Sequence, residues 1–251
     1  MNSCRRLAES TVARVADTLI AVALIPFLCG CPQAPPSQES QQEAATSRWI
    51  TVEPSDPHDA GESCLHQDDL DAITATVPTI TSVIAERLRT GTIASGTAET
   101  AAQVSGTGPN YLSLLEVGAR VTVKRGRFLE EVEAAEGKAV IVLSQSLADR
   151  LFQFDDPKGQ SVVLEGLSLT VVGVVTDGAE WGKDVKRDAY VPLKLFGTES
   201  AKDVPFPYDR FRFRVESIDQ VEQTHSIIQE IINKRHPDAN VRIRSFLSDR
   251  H

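Results

Sequence analysis

The sequence predicts an α+β fold, and two stretches carry that prediction. Residues 126–175 (GRFLEEVEAAEGKAVIVLSQSLADRLFQFDDPKGQSVVLEGLSLTVVGVV) read as a strand, a short helix and a hairpin, and residues 210–244 read as strand, helix, strand. Bulk composition agrees: 41% apolar and 24% charged residues are the proportions of a globular protein, and 251 residues are ample for a core.

Residues 1–30 read as a targeting segment. Arg5 and Arg6 precede an apolar run at 19–28 (LIAVALIPFL), shorter than the ~20 residues of a membrane span and interrupted by Pro26. Leu28-Cys29-Gly30-Cys31 follows and resembles a bacterial lipobox. On that resemblance a signal peptidase cuts before Cys31, and the Cys31 thiol carries diacylglycerol; the alternative is an uncleaved anchor. Cys4 and Cys29 then leave with the signal, so Cys64 is the free thiol of the mature chain and no internal disulfide framework is expected. Residues 31–50 are expected to be a linker. Within them, 32–47 (PQAPPSQESQQEAATS) has too little apolar surface to offset the entropy of ordering, and sixteen residues reach at most roughly 55 Å. Residues 49–52 (WITV) are a short apolar touch-down at the edge of the folded part, residues 51–251. An acidic loop follows at 53–67.

Residues 68–75 (DDLDAITA) have acids where a helix dipole favours them, with Leu70, Ile73 and Val77 on one face. Residues 79–88 and 101–105 are two strands that pair as a hairpin or flank another element. Asn110-Tyr111-Leu112 opens a short helix. In the central stretch, residues 138–143 (KAVIVL) form a buried strand, and Ser144 caps a helix whose Leu147, Leu151 and Phe152 share a face. Asp156-Pro157-Lys158-Gly159 stops that helix, and Glu165-Gly166 links two strands as a hairpin. Residues 181–188 (WGKDVKRD) are a polar loop, and 189–193 an edge strand closed by Pro192. Residues 210–215 (RFRFRV) alternate, with Phe211, Phe213 and Val215 on one face and Arg210, Arg212 and Arg214 on the other, which is expected to be solvated or to bind a partner. Residues 221–235 place Val221, Ile227, Ile228, Ile231 and Ile232 on one helical stripe, and 241–244 (VRIR) alternate again.

This ordered set of motifs resembles the periplasmic core domain of MacB-like ABC-transporter permeases. The matching words are Gly126-Arg127-Phe128-Leu129, Val140-Ile141-Val142-Leu143, Leu151-Phe152, Asp156-Pro157-Lys158-Gly159 and Val171-Val172-Gly173-Val174-Val175. Asn110-Tyr111-Leu112 and Tyr190-Val191-Pro192-Leu193 flank them. The resemblance covers roughly residues 68–245. It implies a discontinuous, porter-like βαβ subdomain (68–108 plus 208–245) with an inserted β-rich subdomain (110–207). In the family a bundle of membrane helices follows the domain, whereas this chain ends at His251. The expectation is therefore a stand-alone, lipoprotein-like copy of the domain.

The chemistry expected is contact rather than catalysis. No G-x-x-x-x-G-K-[ST] phosphate loop is present. A formal charge of −9 argues against binding a nucleic-acid backbone. His58 and His66 lie near Asp56, Asp59, Asp68 and Asp69, but their spacing matches no zinc motif. Cys64 stands two residues from His66 without a nucleophile signature. Glu130-Glu131 and Asp155-Asp156 read as caps and turn residues, and Trp181 as an interface anchor or a loop residue folded back on its own domain. No catalytic residue, cofactor or metal is assigned. The expected partners are an ABC permease or envelope transport proteins, with the membrane reached through the lipid on Cys31, on the periplasmic side. Two rival readings are a secreted lipoprotein enzyme using the acidic loop or Cys64, and a vestigial transporter fragment.

Overall fold

One strand, β2, runs through both halves of the molecule and decides how they meet. In the computed structural model, which describes residues 48–55, 64–114, 121–153, 155–178, 187–196 and 207–245, β2 covers Ile80–Ser95, sixteen residues. Its first half pairs with β9 (Arg210–Val215) and its second half with β3 (Ala98–Thr107), both antiparallel. The described residues all fall within the unit Pro36–His251. Their ten strands form one sheet in the order β10-β1-β9-β2-β3-β8-β5-β7-β4, with β6 pairing β2 and β7. Cys31, the signal segment, the linker up to residue 47, His58, Asp56, Asp59 and Trp181 lie outside the described residues.

The terminal half is built on β1 (Trp49–Pro54), β9, β10 (Val241–Ser245) and the start of β2. β1 lies between β9 and β10 and is antiparallel to both, so the strand–helix–strand unit is a split βαβ with β1 in the gap. The expected linker must therefore end before Trp49, because Trp49 and Ile50 are buried in β1. Four β-compatible residues in a row with no turn signal look short in isolation; two flanking strands make them central. Helix α1 (Gln67–Thr76) and the long helix Val221–Arg235, α5 below, cover one face. The apolar stripe of α5 falls at Val221, Thr224, Ile228 and Ile232, with Ile231 half-buried beside it. It packs on Ile50, Val52, Phe211, Phe213 and Val215, the inward faces of β1 and β9.

The second half carries α2 (Tyr111–Leu114), β4 (Val123–Gly126), α3 (Glu131–Glu136), β5 (Val140–Ser144), α4 (Gln145–Phe152), β6 (Ser161–Leu164), β7 (Leu167–Val175) and β8 (Ala189–Pro192), then the 3-10 turn Leu193–Phe196. Ser144 caps α4, its hydroxyl accepting from the Leu147 N–H at 3.2 Å. The helix stops at Phe152, before the expected Asp156 turn, and Gln153 takes φ 54°. The turn itself is present: Asp156 accepts from the Lys158 N–H, and Gly159 is left-handed. Glu165 and Gly166 both have positive φ, as a two-residue hairpin turn requires. Gly126 and Gly173 face each other across β4 and β7. A Cβ on Gly173 would lie 2.0 Å from the Arg127 carbonyl oxygen, and one on Gly126 2.2 Å from that of Val172, so both positions need glycine.

Two expectations are corrected here. β8 is not an edge strand: it lies between β3 (parallel) and β5 (antiparallel), and all four residues are buried. Pro192 is tolerated because it is the last residue and pairs only on the β3 side, past the end of the β5 ladder. The expected division gave residues 68–108 to the terminal half. The far end of β2 and the whole of β3 instead pair with β6 and β8, and Ile93, Ala102 and Val104 join the core formed by β5, α4, β6, β7 and β8.

Candidate functional site

Alternation places Ile84 and Glu86 of β2 on the same sheet face as Arg210, Arg212 and Arg214 of β9 and Thr51 and Glu53 of β1. This is the face expected to meet solvent or a partner. It does neither at Arg212, which is 9% exposed and donates to the Tyr111 hydroxyl at 3.2 Å with its guanidinium 5.6 Å from the Tyr111 ring. α2 and the strands of the second half cover it. The centre of the covered face is Glu86, 1% exposed. Its Oε1 accepts from Ser105 Oγ at 2.8 Å, the Tyr111 hydroxyl at 3.0 Å and Arg187 Nε at 3.1 Å, and its Oε2 lies 3.4 Å from Arg210 Nη1. Arg187 also donates to Gln103 at 3.0 Å, while Glu53 receives Arg210 at 2.7 Å and Arg244 at 2.9 Å. A buried ion pair alone returns little against its desolvation; the extra donors make this one tenable.

Beside the network lies Asp209, which is buried and whose Oδ2 accepts from the Leu88 N–H at 2.6 Å. Its own N–H donates to the Glu86 carbonyl at 3.0 Å. Burial pushes its carboxyl up to about 6; the Leu88 N–H, Arg89 and Arg210 pull it down and Glu86 pushes it further up.

The same junction opens into a cleft of about 570 Å³. β2 contributes Val83, Ile84, Ala85 and Arg87 to its wall, the end of β3 and the following turn contribute Thr107 to Tyr111, and α3, Leu193, Lys194 and Tyr208 close it. Arg87 donates to the Pro207 carbonyl and stacks 4.8 Å from the Tyr208 ring centre, and Lys194 donates to the Ala135 carbonyl. A second cleft of about 440 Å³ lies at Arg89, Leu164, Leu167 and Phe196.

The residues singled out from sequence have mostly structural partners. Asp69, fully buried at the start of α1, accepts from the His66 N–H at 2.8 Å and pairs with Arg235 and His236 at the end of α5. Burial pushes its carboxyl up, but Arg235, the His66 N–H and His236 outweigh burial and hold it below the usual range. Asp68 is exposed in the same first turn. Cys64 is half-buried, and burial pushes its thiol up, the reverse of what activates a nucleophile. Glu130 is the N-cap of α3 and pairs with Arg127 at 3.1 Å. Arg127 also clamps Glu133 with two bonds of 2.7 Å, which hold the Glu133 carboxyl low. Glu131 is exposed, as are Asp155 and Asp156. The network around Glu86 and Arg187 was not singled out, since nothing in the local pattern of either residue marks it as buried.

The family model for the MacB-like periplasmic core domain matches residues 35–231. The chain belongs to that family. MacB-like periplasmic core domains are transport-associated, non-enzymatic parts of ABC-transporter permeases on the periplasmic side of the envelope. The match includes β1, in keeping with its place in the sheet. Over 214 residues (83% of this chain, 31% of the relative) the domain is 26% identical to the macrolide export ATP-binding/permease protein MacB of Azoarcus sp. (strain BH72). Over 186 residues (72% and 44%) it is 23% identical to the uncharacterized ABC transporter permease YknZ of Bacillus subtilis (strain 168). The chain thus spans less than half the length of these relatives. Its fold is that of the periplasmic region of MacB from Actinobacillus actinomycetemcomitans, with a TM-score of 0.67 at 18% identity over 85% of this chain and 95% of the other. The extracellular domain of the YknZ transporter from Gram-positive bacteria gives 0.60 at 19%, over 78% and 100%. Among the described residues no helix is long and apolar enough to cross a membrane.

Proposed function

We propose that this MacB-like domain is a membrane-tethered extracytoplasmic module that works by contact, with an ABC-type permease or an envelope transport protein as partner, and that a lipid on Cys31 holds it to the membrane. The observation that carries the contact reading is how the buried charges are used. Glu86, Asp69 and Glu133 are each tied to arginines of other elements, and the Cys64 thiol is pushed up, so these groups serve cohesion and not turnover. Tethering through a linker raises the effective concentration toward anything embedded in the same membrane, so modest affinity suffices. The test is affinity capture from native membranes with the parent chain and with Cys31→Ser. Enrichment of permease or envelope-transport subunits that weakens in Cys31→Ser supports the reading. A hydrolytic activity lost in Cys64→Ala, or capture indifferent to Cys31, overturns it.

A further inference from the structure

Six of the ten strands close on themselves. β2 pairs β3, β3 pairs β8, β8 pairs β5, β5 pairs β7, β7 pairs β6, and β6 returns to β2 through Ile93↔Leu164 and Ala94↔Val163. This ring is a small closed barrel. Roughly eight strands give an interior just wide enough for side chains, so six leave nothing to spare, and Ile93, Val104, Ile141, Leu143, Val162 and Val171 fill it. The two ends differ. β5 runs into α4, which lays Leu147, Ala148 and Leu151 on the core. β8 is antiparallel to β5, so it runs to the opposite end and there meets the 3-10 turn Leu193–Phe196. The cleft of about 440 Å³ is at that end. It opens beside the closing seam, where Glu165-Gly166 turns β6 into β7 while the Arg89 to Gly91 part of β2 stays with β3. Among the described residues its floor is the buried Leu164, Leu169 and Val191, and its sides are Leu195 and Phe196, half-buried, and Leu167, 42% exposed. The Phe196 ring rests on the bare backbone of Gly106, where a Cβ would collide with it.

We propose that this barrel mouth binds the alkyl chain of a small uncharged amphiphile, with the chain on Leu164, Leu169 and Val191 and a hydroxyl-bearing head at the rim. Size selects a small molecule over a protein side chain. A cavity of about 150 Å³ lined by Leu, Ile and Phe takes one benzene, so about 440 Å³ suits a chain of roughly ten to fifteen carbons, and one phenylalanine of a partner would fill about a third of it. Barrel mouths of this volume are a recurrent place for such ligands. A strand is not the guest, because the Thr92 N–H and C=O at the seam both bond Glu165, at 2.5 and 3.2 Å, and the seam presents side chains. Charge selects an uncharged head. Glu165 and Arg89 bring one charge of each sign to the rim, Arg89 lying 5.7 Å from the Phe196 ring centre, and the floor brings none, so neither an anion nor a cation is favoured. The driving force is the cover the guest gives to Leu167 and to the open flanks of Leu195 and Phe196. Binding here needs only the barrel; it depends neither on the tether nor on the protein partner.

The probe is 1-decanol, titrated below its solubility limit into the full chain, which carries isotope-labelled Leu and Val methyl groups and is held in an amphipathic polymer. The Leu164, Leu169 and Val191 methyl signals are expected to shift saturably and to show nuclear Overhauser contacts to the decanol chain, while Val132, exposed on α3, does neither. N-acetylphenylalanine amide at equal concentration should leave all of them in place. Leu167→Gln, at an exposed rim position, should weaken decanol binding roughly fivefold, the scale of a half-covered leucine, and Leu167→Met should bind as the parent does. Unmoved Leu169 and Val191 signals, or shifts no larger than that of Val132, overturn the proposal. Equal binding of the phenylalanine amide overturns it in favour of a protein side chain. Contacts from residues 197–206 to the Leu169 methyls before decanol is added show the recess filled by the chain itself, and overturn it too. Capture from native membranes is read separately, so failure here leaves the contact reading standing.

Discussion

Asp209 should make this domain less stable as pH rises from about 4 to about 6, and removing its charge should abolish the effect. The carboxyl is buried where β2 leaves β9, and burial lifts it from an ordinary value of 3.8 to about 6. Between those values the folded chain holds a proton that the unfolded chain has released, so stability from this group falls with rising pH and the loss is complete above about 6. A gap of about two pH units, at roughly 1.4 kcal/mol each, amounts to about 3 kcal/mol. Asparagine keeps the shape and an oxygen for the Leu88 N–H but carries no charge. Asp209→Asn should match the parent within about 0.5 kcal/mol near pH 3.5 and exceed it by up to about 3 kcal/mol near pH 7.5. Urea unfolding of both proteins at four pH values between those limits measures the difference. Comparison of the pair cancels Asp69 and Glu133, whose carboxyls are held low and whose stabilisation fades toward acid pH. A variant that is less stable at pH 7.5, or displaced by the same amount at every pH, would refute the reasoning.

Arg187→Met should cost about 3 kcal/mol in denaturant unfolding, because it takes a fully buried guanidinium from the Glu86 carboxylate in a site 1% exposed and leaves Arg210 at 3.4 Å with the Ser105 and Tyr111 hydroxyls, and adding Glu86→Gln should recover part of the loss. Asp69→Asn removes the acceptor that clips the start of α1 to the end of α5 and should cost about 2 kcal/mol at neutral pH. That cost should shrink as pH falls through the low folded value of Asp69, since the parent loses the same charge there; a loss independent of pH would mean that the clip acts through packing.

The elements legible in sequence were those whose signals are local. Ser144 before an amphipathic turn and Glu165-Gly166 between β-rich runs each need only their neighbours to be read, and each falls where expected. The helix Val221–Arg235 was readable from its isoleucine stripe for the same reason. What failed depended on partners far along the chain. WITV at 49–52 has the composition of a strand but the length of a fragment, and its place between β9 and β10 is set by residues about 160 and 190 positions downstream. Pro192 pointed to an edge because proline cannot donate to a ladder, but the last residue of a strand has no ladder to break on the side where its partner has already ended.

The arginines of β9 show the limit most sharply. Period-two alternation correctly separated Phe211, Phe213 and Val215 from Arg210, Arg212 and Arg214. It then suggested water for the charged face, since charge is seldom buried unpaired. Pairing is the condition that sequence alone left open: Glu53 and Glu86 supply carboxylates from two other strands, and Tyr111 supplies a hydroxyl and a ring from the helix that lies across the face. Each of these comes into reach only because β2 passes from one half to the other, carrying Glu86 at the crossing. The crossing that closes the charged face on one side of β2 also ends the β3 ladder at Arg87, beside the cleft that Val83 and Ala85 line. The buried network and the open cleft are thus two consequences of one register, and a variant that loosens the network at Glu86 should also alter the width of the cleft.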